Sequence, residues 1–571
     1  MRRLTRTPLR GFHQNLVMKK IVTSLLIAAL ASPIFAEDVA DAYPGYKLAF
    51  AEEFDNGTKP DPDRWNFETG MRRNHEDQVY TVDNATIADG CLVIEARKEK
   101  VANPDYERYS SAWNKKNRYG EYSSASLILK DPYRYHYGVY EVRAKIPVGT
   151  GYWPAIWGCG DSYEWPYNGE LDIMEYYGNA IHANLAWGTN TRWSAAWSSK
   201  APKMSEFEGD FGDNFHIWRT EWDHNSLRIY LDDRLINETD LDRTVNPNPA
   251  QSWYNVDGYN PYRDPNNKFG VWLNLALGGD NGGSLTNTAF PAQYLVDYVR
   301  VYVPETPDAA LRYRISKAQK MLDDNRESSR FPESADRALE AAIAAAQALL
   351  GATDDAVIDP ALDALQKAMD DYLKSMPNPC ADGGTFRFRH VLSGCTLSSG
   401  WFEEKECILI TDNGASDYNQ DFTFVEAPGV DKSKGMNIRT ADGKYVYRDS
   451  WNLYVTDNTD QLAQNNYLFK VETADGYLII KNLGSNKYFG TDNNAAWSHV
   501  YSDKPGAGAR SNYFELIKPN GIGDIAADGS DEQITGVYNL QGIRVADTPD
   551  RLPARGVYIV LRGRHAEKII R

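Results

Sequence analysis

The stretch NGELDIMEYYGN, residues 168–179, sets three carboxylates, Glu170, Asp172 and Glu175, among apolar neighbours. In a plain β-strand side chains alternate, so Glu170 and Asp172 share a face and Glu175, five positions on from Glu170, faces away. One extra residue, a β-bulge around Ile173–Met174, swings Glu175 back beside the other two. Two carboxyls on one face are the equipment of glycoside hydrolysis, one as nucleophile and one as acid/base. They stand ~5–5.5 Å apart in a retaining enzyme and ~6.5–9.5 Å apart in an inverting one. Four effective strand positions separate the Cα atoms of Glu170 and Glu175 by roughly 13 Å, a gap two long side chains can close on a concave sheet. Three acids this close cannot all ionise freely, so one pKa should rise, as a proton donor requires.

Outward from that stretch, residues 45–303 form a series of short aromatic and β-branched runs, among them CLVIEARK, YGVYEVRAKI, FGVWLNLAL and YLVDYVRVYV, broken by Gly, Asn, Asp and Pro. This spacing predicts an all-β sandwich. Residues 308–376 change to helical spacing, and Leu362, Leu365, Met369, Tyr372 and Leu373 mark one apolar face. Asp359–Pro360 reads as the start signal of the last helix, and the charges on the other faces read as solvated surface. From 380 to 519 strands return, with Phe424, Phe469 and Phe514 at equal intervals. A threefold repeat of short strands predicts a β-trefoil. A small β-rich tail, 534–571, follows a linker.

The 571 residues are too many for one core. A net charge of −17 argues against nucleic acid or an anionic membrane as partner. Residues 1–36 read as a secretory signal peptide starting at Met18, so the protein is expected to be exported, either secreted or held at the cell surface. No later run is long enough to span a membrane. The five cysteines make no CxxC pair, which leaves zinc unsupported, and one disulfide among Cys380, Cys395 and Cys407 is possible.

The residues carry a resemblance. NGELDIMEYYG, with FAEEFDNG, RRNHEDQVYT, YGVYEVRAKIPVGTGYWPAIW and VDYVRVY in order around it, resembles glycoside hydrolase family 16 in its bulged E-x-D-x-x-E form, as in laminarinases and endo-β-galactanases. The resemblance implies a β-jelly-roll, concanavalin-like sandwich in which Glu170 is the nucleophile, Glu175 the acid/base and Asp172 the group that tunes them. It implies a secreted retaining endo-β-glycosidase acting on a β-1,3- or β-1,3/1,4-glucan. An endo-β-galactosidase acting on galactan or mucin-type chains is the alternative. A transglycosylase and a non-catalytic glycan-binding protein are the rivals. Trp153, Trp157, Trp165, Trp187, Asn74, Gln78 and His182 are the expected sugar contacts. Relatives place a second His of HGTVH where this chain has Ala186, followed by Trp187, so the departure bears on substrate. No cofactor is expected for catalysis, but a structural calcium at Glu53 and Asp297 is. The helical segment resembles spacer modules of exported proteins, the trefoil resembles ricin-like glycan-binding modules without their Gln-x-Trp signature, and the tail resembles C-terminal sorting domains. The expected partners are a polysaccharide substrate and a second glycan at the trefoil.

Overall fold

The computed structural model describes residue 39, residues 42–517 apart from 208–210, 248–255, 329–330, 380–383, 403–404, 416–417, 475, 492–495 and 505–509, and the strands of a sheet between 534 and 570. The predicted signal peptide and Cys380 lie outside the described residues. Residues up to Ile517 make one compact unit and Lys518–Arg571 another.

Two antiparallel sheets, of eight and seven strands, pack face to face in the first half of the larger unit. The seven-stranded sheet holds β1 (Tyr152–Cys159), β2 (Glu170–Tyr177), β3 (Ala180–Gly188), β4 (Ala195–Lys200) and β5 (Trp272–Leu277), side by side in the order β4-β3-β2-β1-β5. Alternation along β2 and β3 sends Leu171, Ile173, Ala183 and Leu185 into the shared core with Trp218, Ile229 and Val299 of the other sheet. The opposite faces of β2 and β3 are left for polar residues.

The sandwich continues into three helices, α1 (Ala309–Ser328), α2 (Glu333–Gln347) and α3 (Asp355–Lys374). Leu362, Leu365, Met369 and Tyr372 are buried as the spacing predicts, but Leu373 is exposed. Helix α3 begins a turn before the expected signal. Asp354 caps it by accepting a hydrogen bond from the Ala356 N–H at 3.0 Å, and Pro360 sits inside.

The helical charges are not simply solvated. Lys317 reaches Glu221 of the sandwich at 3.0 Å, Arg314 reaches Asp223 at 3.0 Å, and Asp359 meets His224 at 2.8 Å. These contacts join the helices to the sandwich through two ion pairs and a hydrogen bond, all partly or fully buried.

Strands from 384 to 517 follow, in one twelve-stranded barrel-like sheet. Phe424, Phe469 and Phe514, the repeated positions, are all buried in one core. The same apolar cluster includes Leu339, Leu362 and Leu365 of the helices. Among the described residues Cys91, Cys159, Cys395 and Cys407 are free, so Cys395 and Cys407 do not pair. In the second unit four antiparallel strands form a sheet in the order 544–546, 534–539, 557–562, 565–570. Among the described residues no helix is long and apolar enough to cross a membrane.

Candidate active site

The ladder between β1 and β2 locates the bulge. Asp172 lies opposite Trp157 and Met174 opposite Ile156, so Ile173 is the extra residue. On the other side Asp172 faces Asn184 and Glu175 faces His182 of β3. Glu170, Asp172 and Glu175 therefore stand on the face that carries Cys159, Trp157 and Ala155 of β1, and the bulge keeps Ile173 in the core.

Each acid has its own donors. The Trp165 indole N–H donates to Glu170. The Trp153 indole N–H donates to Glu175 at 2.8 Å. Asn184 on β3 divides its amide between Asp172, at 3.3 Å, and Glu175, at 3.2 Å. Burial pushes all three carboxyls above the ordinary range. Glu170 rises because it is desolvated, and the Trp165 indole, a hydrogen bond from Asp172 and the Arg73 charge hold it back. Asp172 rises well above the usual value through burial and the neighbouring Glu170 and Glu175. Glu175 is pushed up to about 7 by burial and by Glu170, against the bonds from Trp153 and Asn184. A carboxyl still protonated near neutrality can donate a proton, and an ionised neighbour can attack.

The remaining predicted contacts divide. Trp153 and Trp165 bear directly on the acids through their indole N–H groups. Trp157 donates to Asn274 at 2.7 Å, and the Arg73 guanidinium lies over its ring at 5.1 Å. Trp157 thus carries the cation that faces Glu170. His182 stacks on Tyr177 with ring centroids 3.7 Å apart, and burial lowers its pKa.

Two of these readings are corrected. Trp187 packs against the sandwich core, because 182, 184 and 186 occupy the acid-bearing face of β3 and 187 the other. Gln78 is fully buried, donates to Glu76 at 2.7 Å and accepts from the Leu277 N–H at 2.7 Å, so it supports the site from behind. Asn74 is exposed and reaches Glu76 at 3.4 Å.

Glu53 and Asp297, the expected calcium ligands, are each engaged by an arginine. Arg300 engages Glu53 at 2.8 and 2.7 Å, and Arg143 engages Asp297. No cluster of three or more His, Cys, Asp or Glu suited to a metal occurs among the described residues.

Sequence reasoning missed Asn184, Arg73 and Glu76. Asn184 had a readable signal, since its place two residues after His182 on an alternating strand puts it opposite Asp172. Glu76 is buried, its pKa is raised by desolvation, and its charge adds to the rise at Glu175.

Comparison with known proteins decides the family. The model of glycosyl hydrolases family 16 matches residues 73–270. A β-glucanase of Rhodothermus marinus is 31% identical over 300 residues, covering 50% of this chain and 95% of that protein. The chain belongs to glycosyl hydrolase family 16. A glucan endo-1,3-β-glucosidase of Cryptopygus antarcticus is 33% identical over 267 residues, covering 44% of this chain and 88% of that one. A solved structure from work on endo-acting O-glycanases of the human gut microbiota is 32% identical, covers 46% of this chain and 92% of its own, and has a TM-score of 0.40. This family 16 protein is a retaining glycoside hydrolase, mainly β in fold.

Proposed function

We propose that the chain cleaves internal β-1,3 linkages of a β-glucan by double displacement. Glu170 attacks the anomeric carbon, and Glu175 protonates the leaving oxygen and later deprotonates the incoming water. Asp172, kept protonated by burial and by its two acidic neighbours, donates to Glu170 and holds it in place. The observation that carries the reading is the pair of carboxyls that the bulge sets on one face, with Glu175 pushed up to about 7 by burial and the rise of buried Glu170 opposed by the Trp165 indole and Arg73. The names of the β-glucanase and endo-1,3-β-glucosidase relatives support the glucan backbone.

The test is product analysis on laminarin, barley-type β-glucan, agarose and mucin O-glycans, with Glu170→Gln as control. The reading expects oligosaccharides from laminarin that vanish in the variant. Cleavage of the galactose-containing polymers with laminarin untouched would move the substrate to the galactan class.

We also propose export, supported by the residue pattern before Ala36 and checked by a mature N-terminus following it. A second glycan contact at the barrel is supported by exposed Trp401, Trp451 and Trp497. It is checked by retention of Glu170→Gln on insoluble glucan with and without these rings.

A further inference from the structure

Beyond β3 the acid-bearing face continues onto the edge strand β4. Ala186 pairs with Glu170 on one side and with Trp197 on the other, so acid, methyl and indole form one row across three strands. The neighbouring row confirms the facing. Ser198 turns the other way, and its hydroxyl accepts from Thr239 of the opposite sheet at 2.8 Å. Two strand spacings put the Cα atoms of Glu170 and Trp197 roughly 10 Å apart, about two pyranose rings. The one side chain between them is small and buried.

Trp197 is 47% exposed on the edge strand of the acid-bearing sheet. Trp193, in the turn that leads into β4, is 57% exposed. Arg192 covers its ring at 5.0 Å and also pairs with Glu164 at 2.7 Å. Glu164 precedes Trp165, the donor to Glu170, so this turn is tied to the loop that serves the acid. Among the described residues of the sandwich, Trp193 and Trp197 are the exposed tryptophans, and both stand on the β4 side of the acids.

We infer that Trp197, flanked by Trp193, is a stacking platform for a pyranose ring of the substrate chain, next to the sugar held at Glu170. The inference rests on the reading of Glu170 as the reacting carboxylate. A flat indole offers a sugar ring an apolar face of matching size, and an edge strand leaves the chain room to run on into solvent. The platform rewards length, since a fragment too short to reach it gains nothing from it.

The test titrates Glu170→Gln, alone and combined with Trp197→Ala or Trp197→Phe, with β-1,3-gluco-oligosaccharides and poly-N-acetyllactosamine fragments of increasing length. The inference expects Trp197→Ala to weaken binding of the longer fragments about ten-fold, to leave the shortest unchanged, and to be largely rescued by Phe. Equal affinity at every length with and without the indole overturns the platform and leaves the catalytic reading intact. A uniform loss at all lengths, unrescued by Phe, also overturns it, as general damage to the site. If Glu170→Gln binds neither series while the unaltered enzyme cleaves another polymer, the glucan reading fails and the platform for these chains fails with it. Hydrolysis persisting undiminished in Glu170→Gln would instead remove the catalytic reading on which the row is built.

Discussion

Glu175 and Glu221 are both carboxyls taken out of water in the same sandwich, and their acidities move in opposite directions. At Glu175 burial is reinforced by Glu170 and only two neutral N–H donors oppose it, so its pKa climbs to about 7. At Glu221 burial also pushes upward, but the Lys317 and Arg219 charges overcome it and hold the group down to about 2. Cations, not burial, separate a site that moves protons from a joint that holds two regions together. Lys317, Arg219 and Arg314 act together on Glu221 where the sandwich meets the helices. At the acids, the Arg73 charge acts on Glu170.

That contrast can be broken at either end. The largest expected effect is at the joint. Lys317→Met removes the cation hydrogen-bonded to Glu221, leaving Arg219 and Arg314, and should destabilise the unit by about 3 kcal/mol, read as a lowered Tm, with kcat per folded molecule unchanged. Because the Glu221 pKa is depressed on folding, its stabilising contribution is present above the ordinary carboxyl pKa. It is lost as pH falls from there toward about 2, so the variant's deficit should shrink in acid.

The site behaves in reverse. The Glu175 pKa is raised on folding, so between the ordinary carboxyl pKa and about 7 the unfolded chain ionises first, and stability declines as pH rises through that window. Glu175→Gln removes this penalty and should gain about 2 kcal/mol over the unaltered protein at pH 8, with little gain at pH 4, by denaturant titration. No gain at pH 8 would mean that folding does not raise the Glu175 pKa.

The smallest effect sharpens the comparison. Asn184→Ala takes one donor from both Asp172 and Glu175. A hydrogen bond to the charged form lowers a carboxyl pKa, so its removal should shift the alkaline limb of the rate profile upward and lower kcat about five-fold.

Much of the sandwich was readable because the chemistry is local. Five positions separate Glu170 from Glu175, and an alternating strand has to be interrupted to put both on one face, so the ladder's extra residue at Ile173 follows from spacing. The regular return of Phe424, Phe469 and Phe514 similarly pointed to one shared core. What was not readable depends on partners distant in sequence. Arg314 and Lys317 look like solvent-facing charges on α1 until residues 221–223 are brought against them. Gln78 looks like a sugar contact until the Leu277 N–H and Glu76 enclose it. Trp187 failed for a different reason. The register of β3 against β2 puts even-numbered residues from 182 to 186 on the acid face, so the indole one step beyond turns to the core.

The most direct test of the proton-donor account is the pH dependence of kcat/KM, measured on a β-1,3-gluco-oligosaccharide with a natural sugar leaving group and on one with an activated aryl leaving group. The account predicts a descending limb near pH 7 with the natural leaving group. In Glu175→Gln that limb should disappear, while cleavage of the aryl substrate, which needs little protonation, survives. A rate that stays flat to pH 9 in the unaltered enzyme, or a limb near pH 7 that persists in Glu175→Gln, would contradict it.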